Sequence, residues 1–282
     1  MDYQKTLEEL ILTIIRESGS DLHLGVGRRP VIRVLGELTF LLKYPELTRD
    51  DMMGILSVLL NKEKLDEFIK KQEIDFSYDF KGENRFRCNA FFQKGSISLA
   101  MRLIPKVKTL EELRLPPIIA ELTRKKQGFF LCVGSVGQGK STTLAAMINL
   151  INNEEARHII TIEDPIEHIY TPNKAIIDQR EVGIDTSDFH VALKSTFRED
   201  VNVIMIGEMR NIETIGTAVT AAETGHLVLS TLHTNNASQA IDRIIDSFPG
   251  NQQDQIRIQL ASSLLCIFSQ RLIPRIAGGL VP

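Results

Sequence analysis

Between residues 128 and 151 the chain reads GFFLCVGSVGQGKSTTLAAMINLI, an apolar run that breaks into glycines and then resumes at helical spacing. Within it, Gly134, Gly139, Lys140 and Ser141 form G-x-x-x-x-G-K-S, the signature of a phosphate-cradling loop. Glycines let the backbone curl so that successive N–H groups converge on an anion, and the positive end of the following helix favours negative charge. The expected cradle is Gly134, Ser135, Val136, Gly137, Gln138 and Gly139, continued by Lys140, Ser141 and Thr142. Lys140 reaches the outer phosphates, and the Ser141 hydroxyl suits Mg²⁺, which keeps most of its waters. A plain glycine turn does not account for Lys140 and Ser141 together. The motif also constrains the fold, because it needs a buried strand before it and a helix after it; residues 129–133 and 142–151 read as that pair.

The rest of the second half repeats this rhythm. Strands are expected at 158–162, 203–206 and 227–231, alternating with helices at 187–198, 212–222 and 237–247, the pattern of a mostly parallel α/β sheet covered by helices. A last helix is expected over about 252–268, carrying apolar Ile256, Leu260, Leu264, Ile267 and Phe268, followed by an unfinished strand and turn over 269–281.

The first half reads differently. Leu7, Leu10, Ile11, Ile14 and Ile15 mark an amphipathic helix, and a capping pair, Thr48 with Asp51, opens another through Leu60 before a lysine-rich helix at 62–71. Short strands around 31–34 and 38–42, then one-sided alternation over 74–80, 86–92 and 97–103, indicate an antiparallel sheet. A turn at Lys94 and Gly95 sets Arg87 opposite Arg102. Like charges directly opposite are unfavourable, so the pair either holds an anion or splays into solvent. With 282 residues the chain exceeds the usual single domain. The expected division is an α+β domain at 1–104, a proline-bearing linker at 105–117, and an α/β domain at 118–282.

Ligands of open α/β sheets bind at the carboxyl ends of the strands, and three strands here end in chemistry. TIEDPIEH places Glu163 and Asp164 after the first, where a carboxylate can orient the water that attacks a γ-phosphate, or simply cap a helix. NVIMIGEMR ends in Glu208, the expected Mg²⁺ or water partner, unless it serves only to pair Arg210. TGHLVLSTLHTNN brackets a strand with His226 and His233; His233 stands at its carboxyl end, within reach of a γ-phosphate.

The net charge of −3 argues against non-specific nucleic-acid binding as the main task. Cys88, Cys132 and Cys266 lie in apolar runs and read as core thiols of a reducing compartment. MDYQKTLEEL lacks the layout of a signal peptide, and no apolar run approaches membrane-spanning length, so a cytoplasmic location is expected, with the membrane reached only through partners.

Together these blocks resemble the type II/type IV secretion ATPases, and most closely the pilus-retraction ATPases of the PilT family. The resemblance rests on the phosphate loop, TIEDPIEH, GEMR, the histidine box TAAETGHLVLSTLHTNNASQAIDRIIDSFP, QLASSLLCIFSQRLIPR, and SDLHLGVGRRPVIRVLGEL near the start. It implies a RecA-like ATPase domain behind a smaller, PAS-like α+β domain. It also implies hydrolysis of ATP with Mg²⁺, a homo-hexameric ring, and an inner-membrane platform protein at the pilus base as partner, with no nucleic acid. Glu163 would be the catalytic glutamate, Glu208 the acid near Mg²⁺ beside Ser141, His226 and His233 the histidine-box pair contributing to the nucleotide site, and Arg87 and Arg102 the arginines that reach nucleotide between subunits. Three departures stand out. Ser135, Val136 and Gln138 replace the proline, threonine and serine usual in the loop; Val201 and Asn202 replace the usual residues after Asp200; and the C-terminal helical region with its Ala-Ile-Arg-Ala-Gly-Leu box is not in these 282 residues, so hydrolysis without retraction is one expectation for the chain as it stands. Rival readings are a pilus-assembly or type II secretion ATPase, a ring-shaped DNA translocase, and a nucleotide-gated adaptor.

Overall fold

The computed structural model describes residues 2–82, 84–274 and 280–282. The chain divides into two compact units, one running to Lys106 and the other from Val107.

In the first unit, helix α1 (Tyr3–Arg16) buries Leu7, Leu10, Ile11 and Ile14 and is capped by Asp2, whose side chain accepts from the Lys5 N–H. Strands β1 (Asp21–Gly25), β2 (Val31–Val34) and β3 (Glu37–Phe40) follow, then helices α2 (Arg49–Leu59) and α3 (Lys62–Lys71), then β4 (Glu73–Phe80), β5 (Asn84–Gln93) and β6 (Ser96–Leu103). The Thr48–Asp51 pair forms a reciprocal capping box at the start of α2. The six strands make one antiparallel sheet in the order β3-β2-β1-β6-β5-β4. Gln93 pairs with Ser96 across the Lys94 and Gly95 turn, so Arg87 does stand opposite Arg102. Alternation puts Phe86, Cys88 and Ala90 of β5 in the core with α1 and α2, and leaves the arginines on the other face.

In the second unit, residues 107–117 do not run free, for Leu110 and Leu115 are buried in its core. Helix α4 (Ile118–Thr123) leads to β7 (Gly128–Val133), α5 (Lys140–Glu154), β8 (His158–Glu163), β9 (Ile176–Glu181), α6 (Phe189–Thr196), β10 (Val203–Ile206), α7 (Ile212–Glu223), β11 (Leu227–Leu232), α8 (Ala237–Asp246), α9 (Gly250–Ser263) and β12 (Leu264–Ser269). The sheet is parallel throughout, in the order β12-β7-β11-β10-β8-β9. Phe129, Leu131 and Val133 of β7 face the core shared with α6 to α9, while Phe130 and Cys132 face the core shared with α5. A strand buried on both faces reads as an unbroken apolar run, and all six residues of β7 are buried.

Two expectations need correction. The last helix stops at Ser263, and Leu264 to Ser269 is a strand beside β7 rather than the helix tail expected through Phe268. LLCIF is apolar at every position, and such a run carries no period to separate strand from buried helix. The second correction is an added strand: none is expected over 176–181, yet β9 forms there as an edge strand that exposes Ile176 and carries Asp178, Gln179 and Arg180, so its apolar signal is weak. Of the strand and turn expected over 269–281, Gly278 and Gly279 lie outside the described residues.

Candidate active site

The parallel sheet brings the ends of β7, β8, β10 and β11 to one edge, where they enclose a cleft of about 420 Å³. The phosphate loop forms one wall. Gly134, Gly137 and Gly139 have φ of +153°, +78° and +77°, values that side chains resist, and Gly139 is the residue from which α5 starts. Lys140 opens the helix and is buried; its Nζ donates to the carbonyls of Gly134 and Ser135, each at 2.9 Å. Ser141 and Thr142 line the cleft from the first turn, and Val136 stands 80% exposed at the loop tip. Gln138 lines the cleft as well, while Ser135 donates a hydrogen bond to the Asn235 side chain at 3.3 Å.

Glu163 ends β8 inside this cleft, only 6% exposed. Its Oε1 accepts from the Thr161 hydroxyl at 2.7 Å and from the Gln179 amide at 3.3 Å, and its Oε2 accepts from the Glu167 N–H at 3.3 Å. Burial pushes the carboxyl above the usual carboxylate range despite these bonds. A base raised toward neutrality is suited to accept a proton from an attacking water.

Glu208, just past β10, lines the same cleft and pairs with Arg210, which lies 3.7 Å from Asp164. So the two readings of Glu208 coexist: it is an ion-pair partner and a cleft acid. His233, just past β11, bridges loop and acid, with Nδ1 3.3 Å from Lys140 Nζ and Nε2 3.4 Å from Glu208 Oε2. An ammonium can only donate, so Nδ1 accepts, and the ring proton sits on Nε2 and points to Glu208. Burial, reinforced by the Lys140 charge, keeps the imidazole below its ordinary range and therefore neutral near pH 7.

His226 is elsewhere. It precedes β11 at the amino end of the strand, with Nδ1 3.0 Å from the Ala221 carbonyl and its ring edge-on to Phe197. Six strand residues separate it from His233, roughly 20 Å at the usual rise, so this chain does not bring the two histidines together, and His226 contacts the end of α7 instead.

Arg87 and Arg102 belong to the first unit. Arg102 Nε donates to Asp21 Oδ1 at 2.8 Å, and Arg33, paired with Asp21 on the other side, lies 3.8 Å from its second oxygen. Burial opposes ionisation of Asp21, yet the bonds from Ser20 and Arg102 hold its carboxyl below the usual range. Arg33, Asp21, Arg102 and Arg87 thus form one cross-strand row with three cations to one anion, and Arg87 is exposed.

Sequence reasoning missed Asp21, Thr161, Gln179 and Gln270. Thr161 carried a usable signal, since it shares a face of β8 with Glu163 two residues on; Gln179 lay in a strand that was not foreseen.

Residues 110–278 match the family model described as type II/IV secretion system protein. The chain is 42% identical to the type IV pilus retraction ATPase PilT of Pseudomonas aeruginosa over 98% of its own length and 80% of that protein's. It is 43% identical to a twitching motility protein of Neisseria gonorrhoeae over 86% of its length and 65% of the relative's. A crystal structure of the pilus retraction motor PilT with bound ADP superposes with a TM-score of 0.90 at 46% identity, covering 97% of this chain and 80% of that one.

Proposed function

We propose, from the premise that this chain belongs to the type II/IV secretion system protein family, that it is an ATP-hydrolysing motor that drives type IV pilus retraction. The observation that carries the chemistry is Glu163, a buried carboxylate of raised proton affinity that faces the phosphate loop across one cleft. The solved relative holds ADP, and this chain's loop offers the same class of anion cradle.

In this reading Lys140 leaves the carbonyls of Gly134 and Ser135 for the outer phosphates, and the loop amides hold the rest of the chain of phosphates. Glu163 orients a water and takes its proton as the water oxygen bonds to the γ-phosphorus and the bond to the β–γ bridging oxygen breaks, releasing ADP and phosphate. His233 links Lys140 to Glu208 through a neutral ring, so a phosphate that draws Lys140 away leaves Nδ1 without its donor, and a proton taken up there would let His233 donate to that phosphate. Among the described residues there is no cluster of three or more His, Cys, Asp or Glu able to hold a metal alone. The Ser141 hydroxyl and the Glu208 carboxylate on one cleft instead fit Mg²⁺, which takes few protein ligands. Bound there with nucleotide, it would offset charge on the transferred phosphoryl group.

We assign the second unit to the RecA-like class and the first to the PAS-like class, and place Arg87 and Arg102 against nucleotide held by a neighbouring copy in a hexameric ring. Three cations in one row with the single anion Asp21 suit that ligand better than they suit solvent. The ring works in the cytoplasm and meets the inner membrane through a platform protein; among the described residues no helix is long and apolar enough to cross a membrane.

Phosphate release from Mg·ATP tests the reading. Glu163→Gln lowers turnover by roughly 10²–10⁴-fold while ADP still binds; equal rates in the two proteins sink the role of Glu163.

A further inference from the structure

The stretch that leaves β12 is hydrogen-bonded to the end of β7, to the first turns of α5 and, twice, to the phosphate loop, contacts that catalysis as described does not use. Gln270, 5% exposed, donates its backbone N–H to the Val133 carbonyl at 2.8 Å. Its side-chain Oε1 accepts from the Thr143 hydroxyl on α5 at 2.7 Å and lies 3.8 Å from the Cys132 thiol, and its Nε2 donates to the Gln138 carbonyl at 2.8 Å. The carbonyl of Gln138 can only accept, so the amide orientation is fixed by its partners. In return, Gln138 Oε1 accepts the Leu272 N–H at 2.7 Å. The contact is close: a Cβ on Gly134 would come within 2.5 Å of the Gln270 carbonyl oxygen, and one on Gly139 within 2.9 Å of Gln270 Nε2. Gly134 is therefore required by the approach of the Gln270 backbone, apart from any phosphate, while Gly139 is required by its own φ of +77°.

We propose that Gln270 is a positioning residue of the phosphate loop, and that Gln138, the residue by which this loop departs most in size from the usual serine, returns the tie. The physical link is the peptide plane between Gln138 and Gly139. That plane is rigid and trans, so fixing the Gln138 carbonyl toward Gln270 turns the Gly139 N–H to the opposite side. A donor held in place before the ligand arrives spares the ordering cost at binding. The second tie, from Gln138 to Leu272, makes the loop and the segment at 270–272 a single hydrogen-bonded body, so that nucleotide at the loop also holds that segment. The inference rests on the reading of the loop as a nucleotide site, and its test separates the two.

Gln270→Met keeps the volume and removes both side-chain hydrogen-bonding functions; Gln138→Ser keeps a loop-compatible residue and removes the tie to Leu272. ADP affinity by calorimetry, KM and kcat for ATP, melting temperature without nucleotide, and amide exchange at Leu272 are measured on the full chain. In Gln270→Met, the ADP Kd and the ATP KM rise roughly five- to fifty-fold while kcat at saturation stays within about two-fold. Gln138→Ser shifts both by about two- to five-fold, and Leu272 loses the slowing of exchange that ADP gives it in the wild type. A merely structural glutamine would instead lower the melting temperature and reduce the active fraction at unchanged KM, which overturns the proposal, as does unchanged affinity in Gln138→Ser. Should Gln270→Met not fold, the Gln138→Ser result decides alone, since that half-buried loop position can change without opening the core. Failure of the wild type to bind ADP would contradict the nucleotide site itself.

Discussion

Glu163 and His233 meet the same physical pressure from burial, and it leaves both nearer their neutral forms. For Glu163 the consequence for catalysis and for stability have opposite signs. As a base it works ionised, so turnover falls as pH drops through its raised pKa, and the acid limb of the rate profile lies above the usual carboxylate range. As a buried acid whose folded pKa exceeds its unfolded one, it adds stability below the unfolded pKa, and that contribution is lost as pH rises through the folded one. Glu163→Gln, which keeps the shape and discards the charge, should therefore raise the melting temperature at neutral pH while abolishing turnover. A lower melting temperature at that pH would show that the ionised carboxylate is well accommodated by Thr161, Gln179 and the Glu167 N–H. Thermal scans at two pH values, one below the carboxylate range and one near neutrality, make the comparison.

Elements differ in what they owe to local chemistry. Helix α7 is started by Asn211, whose side chain accepts the Thr214 N–H at 2.9 Å; Asn211→Ala should cost about 1 kcal/mol. Leu131, wholly buried in β7 between β12 and β11, packs in the core shared with α7 and its neighbours; Leu131→Ala should cost about 2–5 kcal/mol through lost contact and cavity. Denaturant titration of the two variants checks the ranking, and an equal loss would contradict the full burial of Leu131. The same contrast explains what could be read from the residues alone. The register of β5 with β6 was legible because a tight turn and strict alternation fix it, down to Arg87 facing Arg102. The ends of β8, β10 and β11 were legible because each strand is mostly apolar and gives way at its carboxyl end to charged or polar residues, Glu163, Glu208 and His233. Strand β12 was not, since an unbroken apolar run has no period, and Gln270 was not, since Thr143 and Gln138 lie 127 and 132 residues away in the chain. The separation of His226 from His233 was legible too, since a whole strand lies between them and sets the two at opposite ends of the sheet.

For the whole molecule, the arginine row and the cleft belong to different units, and the proposal joins them across copies of the chain. Mixing tests that directly. Arg102→Ala subunits and Lys140→Ala subunits should each be inactive alone, yet recover a share of turnover when assembled together, because one interface in the mixed ring keeps both its lysine and its arginine. No recovery in verified mixed assemblies would place the arginines outside the reaction. The direction of work on the pilus is the central claim, and it is read most directly on cells. Deleting the gene and counting surface pili, with twitching scored alongside, should give more pili and no twitching, both reversed by the wild-type gene and not by Glu163→Gln; cells left without pili would contradict retraction and point to assembly.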